Sequence, residues 1–377
     1  MIYLDNAATT YPKPENVYCE MDRVNRELAV NAGRGSYKAA RTAMSLIDDT
    51  KIKLLQLFHA EGLADICFTP SITHAINQTL AGAHLDETSN VYITPYEHNA
   101  VARPIKLLQD KYHFSVKKIP LDEDLTIDLK KMQYEFTRNK PSLVIANKVS
   151  NVTGYVLPTD EIFSIAKEFG ATTIMDAAQA AGLCDLNMSS NNTDVLCFAG
   201  HKTLYGPFGI GGFALKHGVS LEPVFAGGTG SNSLNLDMPL NAPERFEAAS
   251  QNIVAIAGLR ASLESLDQES HFNHSFEMTR YLLQQLQTID KVKTMGAFET
   301  GKTLGIVSFV MDDYTSDDIG TILDDEFDIA VRTGFHCAPY IHDYLGDKEY
   351  GGTIRVGIGL FTTREDIDYL IKALKTL

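Results

Sequence analysis

Lys202 lies in the segment FAGHKTLYGPFGIGG, directly after an apolar run and ahead of Gly206, Pro207, Gly209, Gly211 and Gly212. Glycines grouped in this way let a backbone approach a bulky ligand and turn back sharply. A lysine on its own would read as one more solvated side chain. Upstream, however, Asp176 ends another apolar run in MDAAQ, with Gln179 three residues later. A lysine amine that forms an imine, and a carboxylate that faces a protonated pyridine nitrogen, are the groups that pyridoxal 5'-phosphate chemistry asks of a protein. Gln179 adds a donor for the ring hydroxyl. Asp176 alone reads as a helix N-cap, the commoner role at a strand–helix junction. Its pairing with Lys202 favours the cofactor.

Further polar groups follow other apolar runs. Ser71, Ile72 and Thr73 open a helix in TPSITHAIN and offer hydroxyls and helix N-terminal N–H groups to a phosphate, although capping alone explains one hydroxyl. His98 in YEHNA is placed to stack on a cofactor ring, and Asn151 in SNVTGY follows a strand, where a turn-forming Asn is the plain alternative. Cys337 in VRTGFHCAP stands beside Arg332 and His336. Sulfur chemistry runs through the thiolate, which neighbouring cations favour. The alternative is a small buried cysteine in a turn.

These groups need a scaffold that brings them together. From Lys51 to Lys216, short apolar runs (Asp65–Phe68, Val91–Thr94, Leu143–Ala146, Thr172–Met175, Val195–Phe198) alternate with amphipathic stretches (Ala75–Ala83, Val101–Lys111, Glu161–Phe169). That rhythm predicts an α/β fold with a mostly parallel sheet covered on both faces by helices. In such sheets the ligand crevice lies beyond the carboxyl ends of the strands, where the polar residues above fall. Near Gly227 the texture changes to AGGTGSNSLNLDMPLNAPERF, a long functional loop. Beyond it, Gln251–Leu266 and Ser275–Leu286 read as helices, and Ile306–Val310, Ile329–Arg332 and Thr353–Val356 as strands of a smaller α+β unit. A last helix is capped by Thr363. The expected division is an arm at 1–15 packing with the small domain, a large cofactor-binding domain at 16–236, and a small domain at 237–377 carrying Cys337.

Composition narrows the possibilities. A formal net charge of -15 over 377 residues argues against nucleic acid as a partner. No apolar run approaches the ~18 residues of a membrane span, and MIYLDNAATTYPKP does not read as a secretory leader. The five cysteines include no CxxC pair, so neither a metal site nor a disulfide framework is expected, and a reducing, cytoplasmic setting fits.

The segments YLDNAATT, YEHNA, SNVTG, MDAAQ, AGHK, GPFGIGG, GGTGS, RFEA, VRTGFHCAP and TIRVGIG occur in the order found in class V aminotransferase-fold enzymes. The chain most resembles the NifS-like cysteine desulfurases. The short Cys337 loop resembles the SufS-like subgroup. The resemblance implies a fold-type I pyridoxal enzyme with a mostly parallel seven-stranded sheet in its large domain, usually a homodimer with sites at the subunit interface. It implies Lys202 as the Schiff-base lysine, Asp176 as the pyridinium partner, Gln179 at the ring oxygen and His98 as the stacking group. Thr73 and His201 become phosphate contacts, and Thr229 is expected to reach the neighbouring subunit's phosphate. Arg355 in TIRVG matches the residue that holds the substrate carboxylate in a bidentate fork. The implied reaction converts L-cysteine to L-alanine, leaving sulfur on Cys337 as a persulfide for an acceptor protein. L-selenocysteine and aminotransferase chemistry remain the rival readings. The chain departs from the family pattern at Ala199, where a serine is usual, at His74 in place of glutamate, and at Phe335 in place of a second histidine.

Overall fold

The computed structural model describes residues 1–32, 35–230, 234–296 and 302–377. After a short first strand, β1 (Ile2–Tyr3), the main sheet is built from β2 (Ala64–Thr69), β3 (Asn90–Ile93), β4 (Ser115–Lys118), β5 (Leu143–Asn147), β6 (Thr172–Asp176), β7 (Val195–Ala199) and β8 (Gly211–Lys216). Its seven strands run in the order β2-β8-β7-β6-β5-β3-β4. β8 is antiparallel to both neighbours, and the other pairs are parallel. β5 (LVIAN) and β7 (VLCFA) are buried along their whole length, because helices cover both faces and leave no wet side for polar alternation.

Two strands escape the apolar-run reading. β4 (SVKK) is a polar edge strand. β8 begins inside the glycine cluster that follows Lys202, where a turn is the simpler reading. There the sheet leaves no room for side chains: a Cβ on Gly211 would lie 2.7 Å from the Ile72 nitrogen, and one on Gly212 would lie 2.4 Å from the Cys67 carbonyl oxygen.

Helices α1 (Glu15–Glu27) and α2 (Lys38–Leu57) precede the sheet, and α3 (Ile72–Gly82), α4 (Asn99–Tyr112), α5 (Leu129–Arg138) and α6 (Thr159–Glu168) connect its strands. The next helix, α7 (Ile253–Ser265), packs on α1 and α2 and sends Ile253, Ile256 and Leu259 into the large core. This corrects the boundary expected at residue 237. A helix apolar nearly all round must be covered on all sides, and the large domain supplies that cover.

The small unit begins with α8 (Gln268–Leu286). It holds an antiparallel sheet of β9 (Val292–Met295), β10 (Ile306–Met311), β12 (Arg332–Gly334) and β13 (Thr353–Gly357), in the order β12-β13-β10-β9. Its helices are α9 (Ser316–Phe327), the short α10 (His342–Leu345) and α11 (Arg364–Leu374), the last opened by a capping box between Thr363 and Asp366. The single strand expected over Ile329–Arg332 is divided. Residues Ile329–Ala330 (β11) pair in parallel with β1, and Arg332 starts β12 in the other sheet. Leu4 is buried in the small unit's core with Phe309, Leu323 and Ile354.

Candidate active site

The carboxyl ends of the parallel strands open into a cavity of ≈ 210 Å³. The segment after β2 contributes Ser71, Ile72 and Thr73; that after β3, His98; that after β5, Asn151. Asp176 ends β6 with Gln179 just beyond, and His201 and Lys202 follow β7. The small sheet adds Arg332 from β12 and Arg355 from β13, and the N-terminal arm adds Ala7 and Ala8. The structure thus gathers around one cavity all but two of the residues singled out in the sequence. Cys337 sits at its edge, in contact with the lining residue Arg332. Thr229 lies elsewhere, in a groove it shares with Lys51 and Glu247. Residues 231–233 of its loop lie outside the described residues.

Burial pushes the Lys202 amine down to about 8, against the opposing pull of Asp176. Burial pushes the Asp176 carboxyl up, while a hydrogen bond from the Ala178 N–H to Oδ1 (2.8 Å) and the charge of Lys202 oppose it. Oδ2 accepts no hydrogen bond among the described residues, so it is available to a cationic donor in the cavity. His98 is the N-cap of α4, and its Nδ1 accepts from the Ala100 N–H at 2.9 Å. That bond fixes the neutral tautomer with its proton on Nε2. Burial, with Lys202 and Arg332 nearby, holds the ring's pKa down to about 3.

At the other end of the cavity, the first turn of α3 presents N–H groups where anions bind best. Ser71 is already occupied there as the N-cap, accepting from the His74 N–H at 3.3 Å. Gln179 donates to the Ala7 carbonyl at 2.8 Å. His201 stacks on Phe208, its Nδ1 is buried without a partner among the described residues, and burial holds it down to about 4. Asn151 donates from Nδ2 to the His336 carbonyl at 2.7 Å and leaves Oδ1 buried and, among the described residues, unpaired. Unsatisfied polar atoms facing a cavity mark a place where a ligand completes the network.

Arg355 is fully buried and donates to Asp5 Oδ1 (2.8 Å) and to the Asn151 carbonyl (2.9 Å), while its Nε has no partner among the described residues. Arg332 Nη2 donates to Cys337 Sγ at 3.3 Å, and Cys337 is half-buried. Phe335 to Ala338 form a turn closed by the Ala338 N–H on the Phe335 carbonyl at 3.0 Å. Both central residues have positive φ, 44° for His336 and 56° for Cys337. This left-handed backbone costs a non-glycine residue about 1 kcal/mol. His336 is held by Thr353, with Nε2 2.8 Å from the hydroxyl oxygen, and burial keeps its ring neutral to about 2. Sequence reasoning missed Asp5 and Ala7 as site residues. They belong to the YLDNAATT segment, whose polar Asp before a small-residue run was the available signal.

Residues 2–370 match the family model for class-V aminotransferases. The chain belongs to the class-V aminotransferase family. Its relatives in that family include a probable cysteine desulfurase of Halalkalibacterium halodurans, 31% identical over 385 residues that span all of this chain and 92% of that protein. A cysteine desulfurase of Pectobacterium atrosepticum is 28% identical over 388 residues, covering 100% of this chain and 93% of the relative. Among solved structures, the apo cysteine desulfurase from Thermococcus onnurineus NA1 superposes with a TM-score of 0.92 at 28% identity, over 100% of this chain and 94% of that one. The sheet order and the helices on both of its faces are therefore those of a class-V aminotransferase.

Proposed function

We propose that this chain is a pyridoxal-phosphate-dependent L-cysteine desulfurase that takes sulfur onto Cys337. The observation that carries the reading is the contact between Arg332 and Cys337 at the edge of a cavity whose floor holds Lys202 and Asp176. The names carried by its relatives support it.

The residues fit the cofactor. Lys202 supplies the amine, Asp176 an available carboxylate oxygen, His98 a neutral ring, and α3 unused N–H groups with Thr73 and Ile72. Among the described residues, His201 Nδ1, Asn151 Oδ1 and Arg355 Nε are buried polar atoms of the cavity lining left to be satisfied. Thr229 reaches the phosphate of a partner subunit in a two-fold dimer. When bound, pyridoxal phosphate supplies the electron sink that lets a proton leave the amino acid's α-carbon.

The chain's own groups do the rest. Arg355 orients the substrate carboxylate in a fixed fork. Lys202, with its proton affinity lowered by burial, accepts and returns a proton at the α-carbon. Asp176 holds positive charge on the ring nitrogen. The Cys337 thiolate, held against the Arg332 guanidinium, attacks the substrate sulfur; an S–S bond forms as the C–S bond breaks, and the C–S electron pair stays on carbon to be protonated. The balance is cysteine plus thiol giving alanine plus persulfide. The persulfide then passes to an acceptor protein. Free, unpaired cysteines suit a reducing compartment such as the cytoplasm.

The test compares cysteine with selenocysteine. Cys337→Ala is expected to abolish alanine release from L-cysteine while keeping the visible spectral change that substrate binding causes. Selenium leaves without thiolate attack, so the same variant retains much of its release from L-selenocysteine. A wild type that releases selenium rapidly and barely handles cysteine reassigns the chain as a selenocysteine lyase. Amino-group exchange with keto acids, untouched by Cys337→Ala, makes it an aminotransferase.

A further inference from the structure

His342 and Asp347 form a buried pair beside the Cys337 turn, the side chains being 3% and 0% exposed. His342 Nδ1 lies 2.6 Å from Asp347 Oδ2, and Nε2 lies 3.0 Å from the Phe335 carbonyl oxygen. A carbonyl oxygen has no proton to give, so Nε2 carries one and donates it. The contact of Nδ1 with Asp347 Oδ2 holds the ring in that orientation. The result is a single N–H of fixed direction aimed at the Phe335 carbonyl.

That carbonyl also accepts the bond that closes the turn. The next two carbonyls are held as well: His336 O accepts from Asn151 Nδ2 at 2.7 Å, and Cys337 O accepts from the Asn99 N–H at 2.6 Å. Three successive carbonyls of a left-handed turn are thus gripped from three elements: α10, the loop after β5 and the start of α4. Asn99 and Asn151 tie the turn to the large domain. His342 is the side chain that ties its first carbonyl, and the Phe335 ring packs edge-on against the imidazole at 5.1 Å.

We propose that His342, oriented by Asp347, is a positioning residue for Cys337. Its Nε2–H keeps the His336–Cys337 turn in its left-handed form, which holds Sγ against Arg332. Without that bond the two residues relax toward negative φ, and the thiol swings away from its cation. The inference rests on Cys337 being the sulfur acceptor.

The experiment uses the purified holoenzyme with L-cysteine. His342→Phe keeps the ring's bulk and removes the donor. It is expected to lower kcat for alanine release by about tenfold or more, the scale on which misplacing a reacting group acts. KM stays within about twofold of wild type and the spectral response to cysteine is retained, because binding and proton removal do not use the turn. Hydrogen exchange at the Ala338 amide accelerates by about tenfold. Asp347→Asn preserves the geometry, since an amide can donate to Nδ1 while Nε2–H still points at Phe335; its kcat stays within about threefold. If His342→Phe does not fold, Asp347→Ala, which frees the ring to turn, takes its place with the same expected losses. A kcat within about twofold of wild type in His342→Phe, or in Asp347→Ala when it stands in, overturns the proposal, as does joint loss of kcat, KM and spectral response. Cys337→Ala separates the two levels. If that variant still releases alanine, the sulfur-acceptor reading fails; if it is inactive while His342→Phe is fully active, only the positioning role fails.

Discussion

Removing Asp5 isolates the charge that balances Arg355. The guanidinium is 1% exposed and Asp5 21% exposed. Among the described residues, the other hydrogen bond of Arg355 goes to a neutral group, the Asn151 carbonyl, and its Nε is unpaired. Breaking a buried ion pair from one side costs about 3–5 kcal/mol, because a desolvated charge is left uncompensated. The partial exposure of Asp5 and water in the neighbouring cavity reduce the expected loss for Asp5→Ala to about 2–3 kcal/mol. Urea titration followed by circular dichroism reads it directly. The double variant Asp5→Ala/Arg355→Met removes both charges and is expected to recover to within about 1 kcal/mol of wild type, a coupling of about 2 kcal/mol. Saturating L-alanine brings a carboxylate to the same guanidinium, so it raises the urea midpoint of Asp5→Ala more than that of wild type. A single-variant loss below about 0.5 kcal/mol, or additive behaviour in the double variant, refutes the reasoning.

Two further outcomes follow from the cavity. The Lys202 amine is brought from an ordinary 10.5 down to about 8, so the neutral, reactive form dominates above pH 8. Reconstitution of cofactor-free enzyme with pyridoxal phosphate is expected to accelerate about tenfold per pH unit below that point and to level off above it; a rate still climbing toward pH 10 contradicts the shift. Gly211→Ala drives a Cβ to 2.7 Å from the Ile72 nitrogen and 2.8 Å from the Ser71 carbonyl carbon, both backbone atoms that cannot yield cheaply. The first turn of α3 must shift. A stability loss of about 2 kcal/mol with at least about tenfold weaker cofactor binding is expected by equilibrium titration, and unchanged affinity argues against α3 as the phosphate seat.

Much of the site was legible because it follows one rule of sheet architecture. Thr73, His98, Asn151, Asp176 and Lys202 each come just after a buried apolar run, and parallel strands carry such positions to one edge. The alternation of those runs with amphipathic helices also gave five of the sheet's seven strands. What escaped depends on partners far away in the chain. Asp5 meets Arg355 across 350 positions, and nothing local to either announces the other. β8 reads as a turn because its glycines answer to Ile72 and Cys67, not to their own neighbours. Helix α7 looks like the start of the small domain until α1 and α2 are seen to cover it. His342 and Asp347 are only 5 positions apart, yet the pair gains meaning from a turn whose backbone sign no sequence pattern reveals.

Residues 2–13 also constrain the order in which the molecule is made. Ile2 and Tyr3 pair with Ile329 and Ala330, Asp5 meets Arg355, and Thr9 and Lys13 both bond the His201 carbonyl. On the ribosome this segment is synthesised before every one of those partners, and its last contacts appear only when β13 has been made. The large sheet can assemble during synthesis, but the segment that joins Lys202's loop to the small domain must wait, unpaired, until nearly the whole chain has emerged. Closure of the cavity by the arm and by Arg332 and Arg355 of the small sheet is therefore a late event, after the strands that carry Asp176 and Lys202 have been made.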